Sequence, residues 1–175
     1  SQWITGAEAR RDAHAWRRRA SVVLTGVGTV LADDPQMDVR LVETPRQPQR
    51  AILDSRLRTP AEARLLDRPG TLIYHAAMDM AEPGTAGRAH ALVSRGASLV
   101  AIEATPSTAS PGLPLERVLA DLTRRQTNEL HVEAGAALTG SWIDAGCADE
   151  LLVYMAPLLL GAGAPIARTG DLTSV

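Results

Sequence analysis

Residues 129–155 read ELHVEAGAALTGSWIDAGCADELLVYM, and their pattern decides the fold class. Glu129 to Glu133 is a short strand-like run and Ala136 to Ala145 has the length and residue types of a helix. Glu150 to Met155 returns to a strand-like apolar run. Strand, helix of about ten residues and strand in that order form a βαβ unit, which is parallel and right-handed almost without exception. The chain is therefore expected to be α/β, with a largely parallel central sheet flanked by helices.

The rest of the chain extends that reading toward the N-terminus. Ala9, Ala13 and Trp16 recur at helical spacing within Gly6 to Arg19, and Thr5 with Glu8 three residues on reads as a capping box. Strands are expected at Ser21 to Thr25, Arg50 to Asp54, Gly70 to His75 and Ala97 to Glu103, with a further short one at Val39 to Val42. Helices are expected around Thr85 to Arg95 and over Leu115 to Arg125, and Pro35 should stop a short turn of helix after Gly26. The Ser/Pro/Thr-rich segment 104–114 reads as a surface loop within one domain.

Composition narrows the function. In 175 residues the aromatic share is 3% with no Phe, which argues against a base-stacking nucleic-acid platform, and a formal net charge of -2 argues against a general field for nucleic acid or anionic lipid. All 18 basic residues are Arg, so lysine-based phosphate loops and Schiff bases are excluded and anion recognition falls to guanidinium forks and backbone N–H groups. The single Cys147 excludes an intramolecular disulfide and a multi-thiolate zinc site, and no metal site is expected. The apolar run Leu151 to Leu160 is too short for a membrane span, and the start of the chain lacks a signal-peptide pattern. A cytoplasmic protein is the expectation.

Two strand-end stretches are candidate anion sites. Gly135 to Ser141 opens a helix with small residues, where free N–H groups and the helix dipole suit a phosphate, although a tight turn needs the same glycine. Gly26-Val27-Gly28-Thr29 begins like a dinucleotide fingerprint, but Leu31 stands at its sixth position, so the match is partial. Glu133, at a strand's C-terminal end, points to the crevice where α/β proteins bind ligands. Asp33 and Asp34 precede Pro35 in a turn, and Arg17 and Arg40 are placed to reach a ligand at the Gly26 to Asp34 crevice. His14, His75, His90 and His131 read as structural or solvated, with His131 on the face of Glu133.

Four segments in this order, WITGAEARRDAHAWRRRA, VVLTGVGTVLADDPQMDVR, ILDSRLRTP and LHVEAGAALTGSWIDAGCADELLVYMAPLLLG, resemble the reductase domain of the bifunctional riboflavin-biosynthesis deaminase/reductases. The resemblance implies a dihydrofolate-reductase-like fold over residues 1–175 as a single reductase domain. It also implies NADPH as cofactor and reduction of 5-amino-6-(5-phosphoribosylamino)uracil by hydride transfer to ribose C1′. It places Ser1, Arg17, Met37, Arg40 and Glu133 on the substrate, and Trp3, Thr29, Asp33, Ser55, Gly135, Ala136, Ala137, Leu138, Thr139, Gly140 and Ser141 on NADPH. Asp33 and Glu133 are the acids nearest the reacting carbon, and a homodimer is implied. The family's zinc deaminase half has no counterpart here. Its first reductase strand would precede Ser1 and its closing strands would follow Gly170-Asp171-Leu172, so the expectation is a trimmed domain lacking its first and last strands. A related pyrimidine or pterin reductase and a catalytically silent binding module are the alternatives.

Overall fold

The computed structural model describes residues 4–78, 80–103, 112–157, 161 and 163–170. Helix α1 (Ala7–Arg19) leads into β1 (Val22–Gly26), and α2 (Val27–Asp33) follows without a linker. The order continues β2 (Gln49–Leu53), a 3-10 turn (Arg64–Leu66), β3 (Leu72–Ala76), α3 (Pro83–Ser94), β4 (Ser98–Ile102), α4 (Leu115–Arg124), β5 (Leu130–Val132) and α5 (Ala136–Asp144).

The five strands form one sheet in the order β4-β3-β2-β1-β5, with every neighbouring pair parallel. The chain lays β1 to β4 down in one direction and then returns across the sheet to place β5 on the other side of β1. Alternation along the strands divides the core. Val22, Leu24, Ala51, Leu72 and Tyr74 face α4 and α5 through Leu115, Val118, Leu122 and Trp142. Ile52 and Ile73 face the other way, toward Val27, Val30, Leu57, Leu65 and Leu92. Because α2 covers one face and α5 the other, the connections leaving β1 and β5 diverge. A crevice opens between the C-terminal ends of those two strands.

Three expectations are corrected. Residues 150–155 form no strand, so the βαβ unit ends with α5. Leu151 is 59% and Met155 88% exposed, and no described strand offers this segment a ladder. An apolar β-prone run becomes a strand only where a neighbouring edge takes its backbone groups. Tyr154 instead donates to the Asp12 carboxylate on α1 at 2.6 Å. Val39 to Val42 is also no strand, because the Gln47 side-chain amide takes both backbone groups of Val39, at 2.8 Å each, in place of a partner strand. The Thr5–Glu8 box does not form: Gly6 is the N-cap and no side chain caps α1. The Glu82 carboxylate performs that service for α3, accepting from the N–H groups of Gly84 and Thr85 beside Pro83.

One polar network sits inside the first core. The hydroxyl of the fully buried Tyr74 donates to Asp121 at 3.0 Å, and Asp121 also receives Arg125 at 2.6 Å and Arg124 at 3.1 Å. Burial disfavours the charge on Asp121, but the two guanidiniums and the tyrosine hold its carboxyl below the ordinary range. Replacing Tyr74 by Phe is expected to cost about 1–2 kcal/mol of unfolding free energy in urea titrations. An unchanged value would mean that the hydroxyl contributes nothing beyond packing.

Candidate active site at the strand switch

The crevice between β1 and β5 is an open cleft of about 430 Å³ lined by Arg17, Thr29, Asp33, Pro35, Met37, Glu133, Ala134 and Gly135. Thr29 and Asp33 come from α2, immediately after β1, and Glu133 to Gly135 join β5 to α5. Arg17, in the last turn of α1, reaches in from the side. The cleft thus lies at the carboxyl ends of the strands where the strand order reverses, the position at which open α/β sheets bind ligands.

Its strongest interaction is a bidentate fork. Arg17 Nε and NH2 donate to Glu133 Oε1 and Oε2 at 2.5 and 2.6 Å, and NH1 donates to the Asp38 carbonyl at 2.9 Å. The Glu133 backbone N–H is fixed by the Leu24 carbonyl at 2.9 Å, which extends the ladder from β1 into the cleft. His131 Nε2 lies 3.2 Å from Glu133 Oε1 on the same strand face. Burial opposes the Glu133 charge, yet the Arg17 fork and His131 outweigh it and hold the carboxyl down at about 2. Burial likewise opposes the Arg17 charge, and Glu133 more than offsets it. Glu133 is accordingly a fixed carboxylate at neutral pH and has no proton to donate.

Met37 closes the floor. It is 3% exposed, packs with Ala20 and Val23, and has a left-handed backbone at φ 52°. That conformation costs an unbranched residue about 1–2 kcal/mol and persists only where the surroundings enforce it. Asp34, also left-handed at φ 41°, ends α2 and accepts from the Arg64 N–H at 2.9 Å, so it belongs to the turn. Asp33 is exposed at the rim.

Of the residues expected at the site, Arg17, Thr29, Asp33, Met37, Glu133 and Gly135 meet in this cleft. Ser1 and Trp3 lie outside the described residues. Arg40 does not line the cleft. Its guanidinium is half exposed and pairs with Asp38 at 2.6 Å, while its backbone N–H donates to His14 Nδ1 at 3.2 Å. Burial first, then the charges of Arg17 and Arg40, lower the His14 pKa, consistent with a neutral acceptor. Ser55 follows β2 on the same sheet edge, where its carbonyl accepts from the Ala76 N–H.

The stretch from Gly135 to Ser141 divides sharply. A Cβ at Gly135, the N-cap of α5, would meet no described atom within 4 Å, and no side chain caps the helix, so its first-turn N–H groups are open to a ligand. Ala136 and Ala137 belong to that first turn. Leu138 instead packs on the core and 3.1 Å from where a Cβ of Gly26 would sit. Gly140 is buried under the Arg168 backbone, whose N–H donates to the Ala136 carbonyl. Thr139 and Ser141 turn their hydroxyls back to the carbonyls of Ala134 and Ala137. Sequence reading passed over Asp38, while His14, read there as structural or solvated, accepts the Arg40 backbone N–H. No group of His, Cys, Asp and Glu among the described residues could hold a metal ion, and no described helix is long and apolar enough to cross a membrane.

A parallel α/β sheet with an acid–arginine fork and an open helix N-terminus at its strand switch defines a ligand-binding α/β domain. The chain belongs to the family described as the RibD C-terminal domain, whose model matches residues 1–174. It is 34% identical over 173 residues to the riboflavin biosynthesis protein RibD of Aquifex aeolicus, covering 97% of this chain and 44% of that protein. With the RibD of Escherichia coli K12 it shares 35% identity, covering 94% of this chain and 44% of the relative. The solved RibD of Acinetobacter baumannii superposes with a TM-score of 0.74 at 32% identity, over 98% of this chain and 44% of that one. A Thermotoga maritima structure described as a diaminohydroxyphosphoribosylaminopyrimidine deaminase/5-amino-6-(5-phosphoribosylamino)uracil reductase gives 0.59 at 26% identity, over 83% and 36%. The chain thus spans less than half the length of these relatives. A yeast riboflavin biosynthesis reductase at 15% identity shares the fold, with a TM-score of 0.61. The architecture is the dihydrofolate-reductase-like one.

The depressed Glu133 gives a pH test of the fork. With a folded-state value of about 2 against 4.5 for the free group, its stabilising contribution is complete above pH 4.5 and is lost as pH falls toward 2. Glu133→Gln is expected to be about 1–3 kcal/mol less stable than wild type at pH 7. The gap should close between pH 4.5 and 2 in chemical denaturation, and a constant gap would show that the carboxylate charge is not what holds the fork.

Proposed function

We propose that residues 1–175 act as a single reductase domain that converts 5-amino-6-(5-phosphoribosylamino)uracil to 5-amino-6-(5-phosphoribitylamino)uracil with NADPH. A cytoplasmic location and a homodimer belong to the same reading. The observation that carries it is the cleft itself, where the Arg17–Glu133 fork stands beside an uncapped helix N-terminus in a member of the RibD C-terminal domain family. The relatives' names supply the substrate class.

The residues present fit a nicotinamide dinucleotide. Gly135 leaves room for a ligand to approach the backbone, the first-turn N–H groups of α5 suit a pyrophosphate, and Thr29 and Asp33 supply polar groups across the cleft. When bound, NADPH supplies the hydride that reduces ribose C1′. This chain's residues bind and orient the substrate. Glu133, ionised and clamped, accepts hydrogen bonds from substrate hydroxyl or amine groups at a position fixed by both β1 and α1. Arg17 has five N–H donors, three of them engaged, and the other two remain for the substrate. Asp33, at the solvent-facing rim, is the second acid beside the cleft and is open to water.

The test follows reduced-nicotinamide absorbance in the full-length protein. Substrate-dependent consumption of NADPH is expected, with NADH weaker. Glu133→Gln should remain folded and lose about a hundredfold or more in kcat. Because Glu133 stays ionised, any acid limb of wild-type kcat between pH 5 and 8 must come from another group. A folded protein that never consumes NADPH would leave the silent binding module as the better description.

Arg40 offers a separate readout. Its pair with Asp38 is half exposed, so Arg40→Ala should leave thermal stability nearly unchanged. KM for the phosphorylated substrate should rise about tenfold or more if the guanidinium contacts the phosphate. A loss of stability with unchanged KM would make Arg40 a structural residue.

A further inference from the structure

A second cavity, of about 300 Å³, lies under Met37 toward the N-terminal ends of β2 and β3. It is lined by Met37, Gln47, Pro48, Gln49, Arg50, Arg68, Pro69 and Gly70. Its polar groups are unequally committed. Gln47 spends its side-chain amide on both backbone groups of Val39, and Gln49 Nε2 donates to the Gly70 carbonyl at 3.1 Å. Two guanidiniums remain.

Arg50 is the unusual one. It stands on β2 opposite Val23 of β1, on the sheet face that carries Ile52, and is only 7% exposed. A guanidinium buried to that degree ordinarily has a carboxylate beside it. Among the described residues Arg50 makes no ion pair, and its one hydrogen bond runs from NH2 to the Arg68 carbonyl. Burial and then the neighbouring Arg68 charge both depress its pKa, with Asp38 and Asp67 only partly opposing them. Arg68 brings a second positive charge to the same cavity, and its own contact with Asp38 is a long 3.7 Å. Asp38 is shared further, since its carboxylate takes Arg40 at 2.6 Å. One carboxylate therefore pairs with the guanidiniums of Arg40 and Arg68, while among the described residues Arg50 has none within ion-pair distance.

We propose that this cavity is a phosphoanion site, in which Arg50 and Arg68 together bind a doubly charged phosphate group. Two forks on one cavity match a dianion with three or more acceptor oxygens, whereas a single carboxylate would satisfy only one of them. The cavity is several times the roughly 30 Å³ that one water occupies in the liquid, and Pro48 and Pro69 give it stiff walls. Met37 lines both this cavity and the strand-switch cleft. The phosphate can therefore be that of a sugar phosphate reaching down from the cleft, or a free phosphate. The site does not rest on the reductase reading, because its donors are outside the Arg17–Glu133 fork.

The experiment titrates inorganic phosphate, and separately ribose 5-phosphate, into the full chain at constant ionic strength set with chloride. Thermal shift and phosphorus-31 NMR line broadening report binding, without any assay of turnover. Saturable phosphate binding is expected. Arg68→Ala, at a half-exposed side chain, should keep the far-ultraviolet circular dichroism of wild type and weaken phosphate about tenfold or more. Arg50→Lys keeps the buried charge but loses the fork, and should weaken phosphate to a similar extent. If ribose 5-phosphate displaces phosphate, and Arg68→Ala weakens it in parallel, the anion is the sugar's own. If it displaces nothing while phosphate still depends on Arg50 and Arg68, the site takes free phosphate. Absence of saturable binding, or affinity unchanged in both folded variants, overturns the proposal.

Discussion

Arg17 and Glu133 stand 116 residues apart in sequence and share two short, parallel charge-assisted bonds. The fork joins α1 to β5 across the place where the order of the described strands reverses. Strand β5 contributes three residues to the ladder with β1, at the short end of the usual strand length, and backbone bonds at Glu129 and Glu133 flank them. The fork supplies a second attachment, and it attaches β5 at the point where Glu133 enters the cleft. Removing either partner would leave the other as a largely buried charge, so the two positions are constrained together.

That constraint explains how the cleft is held open. An α/β sheet could fill the gap between diverging β1 and β5 connections with apolar side chains. Here the gap is lined by a clamped ion pair, by small residues at Ala134 and Gly135, and by a methionine in a left-handed conformation. The strain at Met37 is maintained by the packing of Ala20 and Val23 beneath it. Stability is given up locally to keep polar groups at fixed positions, and the apolar layers on both sheet faces offset the loss.

The parallel architecture was legible because short strand-like runs such as Ser21 to Thr25 and Arg50 to Asp54, each with an apolar centre, are separated by longer segments. Glu133 was legible as a strand-end acid. The segment 150–155 misled because apolar content describes what a strand would bury, not whether an edge exists to receive it. Val39 misled in a related way, since a glutamine side chain eight residues on imitates a partner strand. Arg17, Met37 and Gly135 entered the site through the family resemblance or the strand-end rule. The pairing of Arg17 with Glu133, and the role of Asp38 in linking Arg17, Arg40 and Arg68, depend on contacts between distant segments that no local spacing encodes. Within Gly135 to Ser141 a helix start was legible, but not that Leu138 and Gly140 face packed structure while Gly135 alone lines the cleft.

The absence of lysine has a structural counterpart. Arg17 bonds a carboxylate with two nitrogens and a carbonyl with the third, while Arg46 bridges the carbonyls of Ala20 and Arg19 just before β1. Arg10 donates to the Thr5 carbonyl below α1, and Arg50 to that of Arg68 beneath the second cavity. Each contact uses a planar, permanently charged donor to tie loop backbone to a neighbouring element. A lysine ammonium at position 17 could not make two parallel bonds to Glu133 while a third group reaches the Asp38 carbonyl. Long irregular connections such as residues 34–48 are thereby anchored with few apolar contacts of their own. The same chemistry that anchors them leaves unspent N–H donors at Arg17, Arg50 and Arg68, so the groups that organise the loops are also the ones with capacity left for an anion.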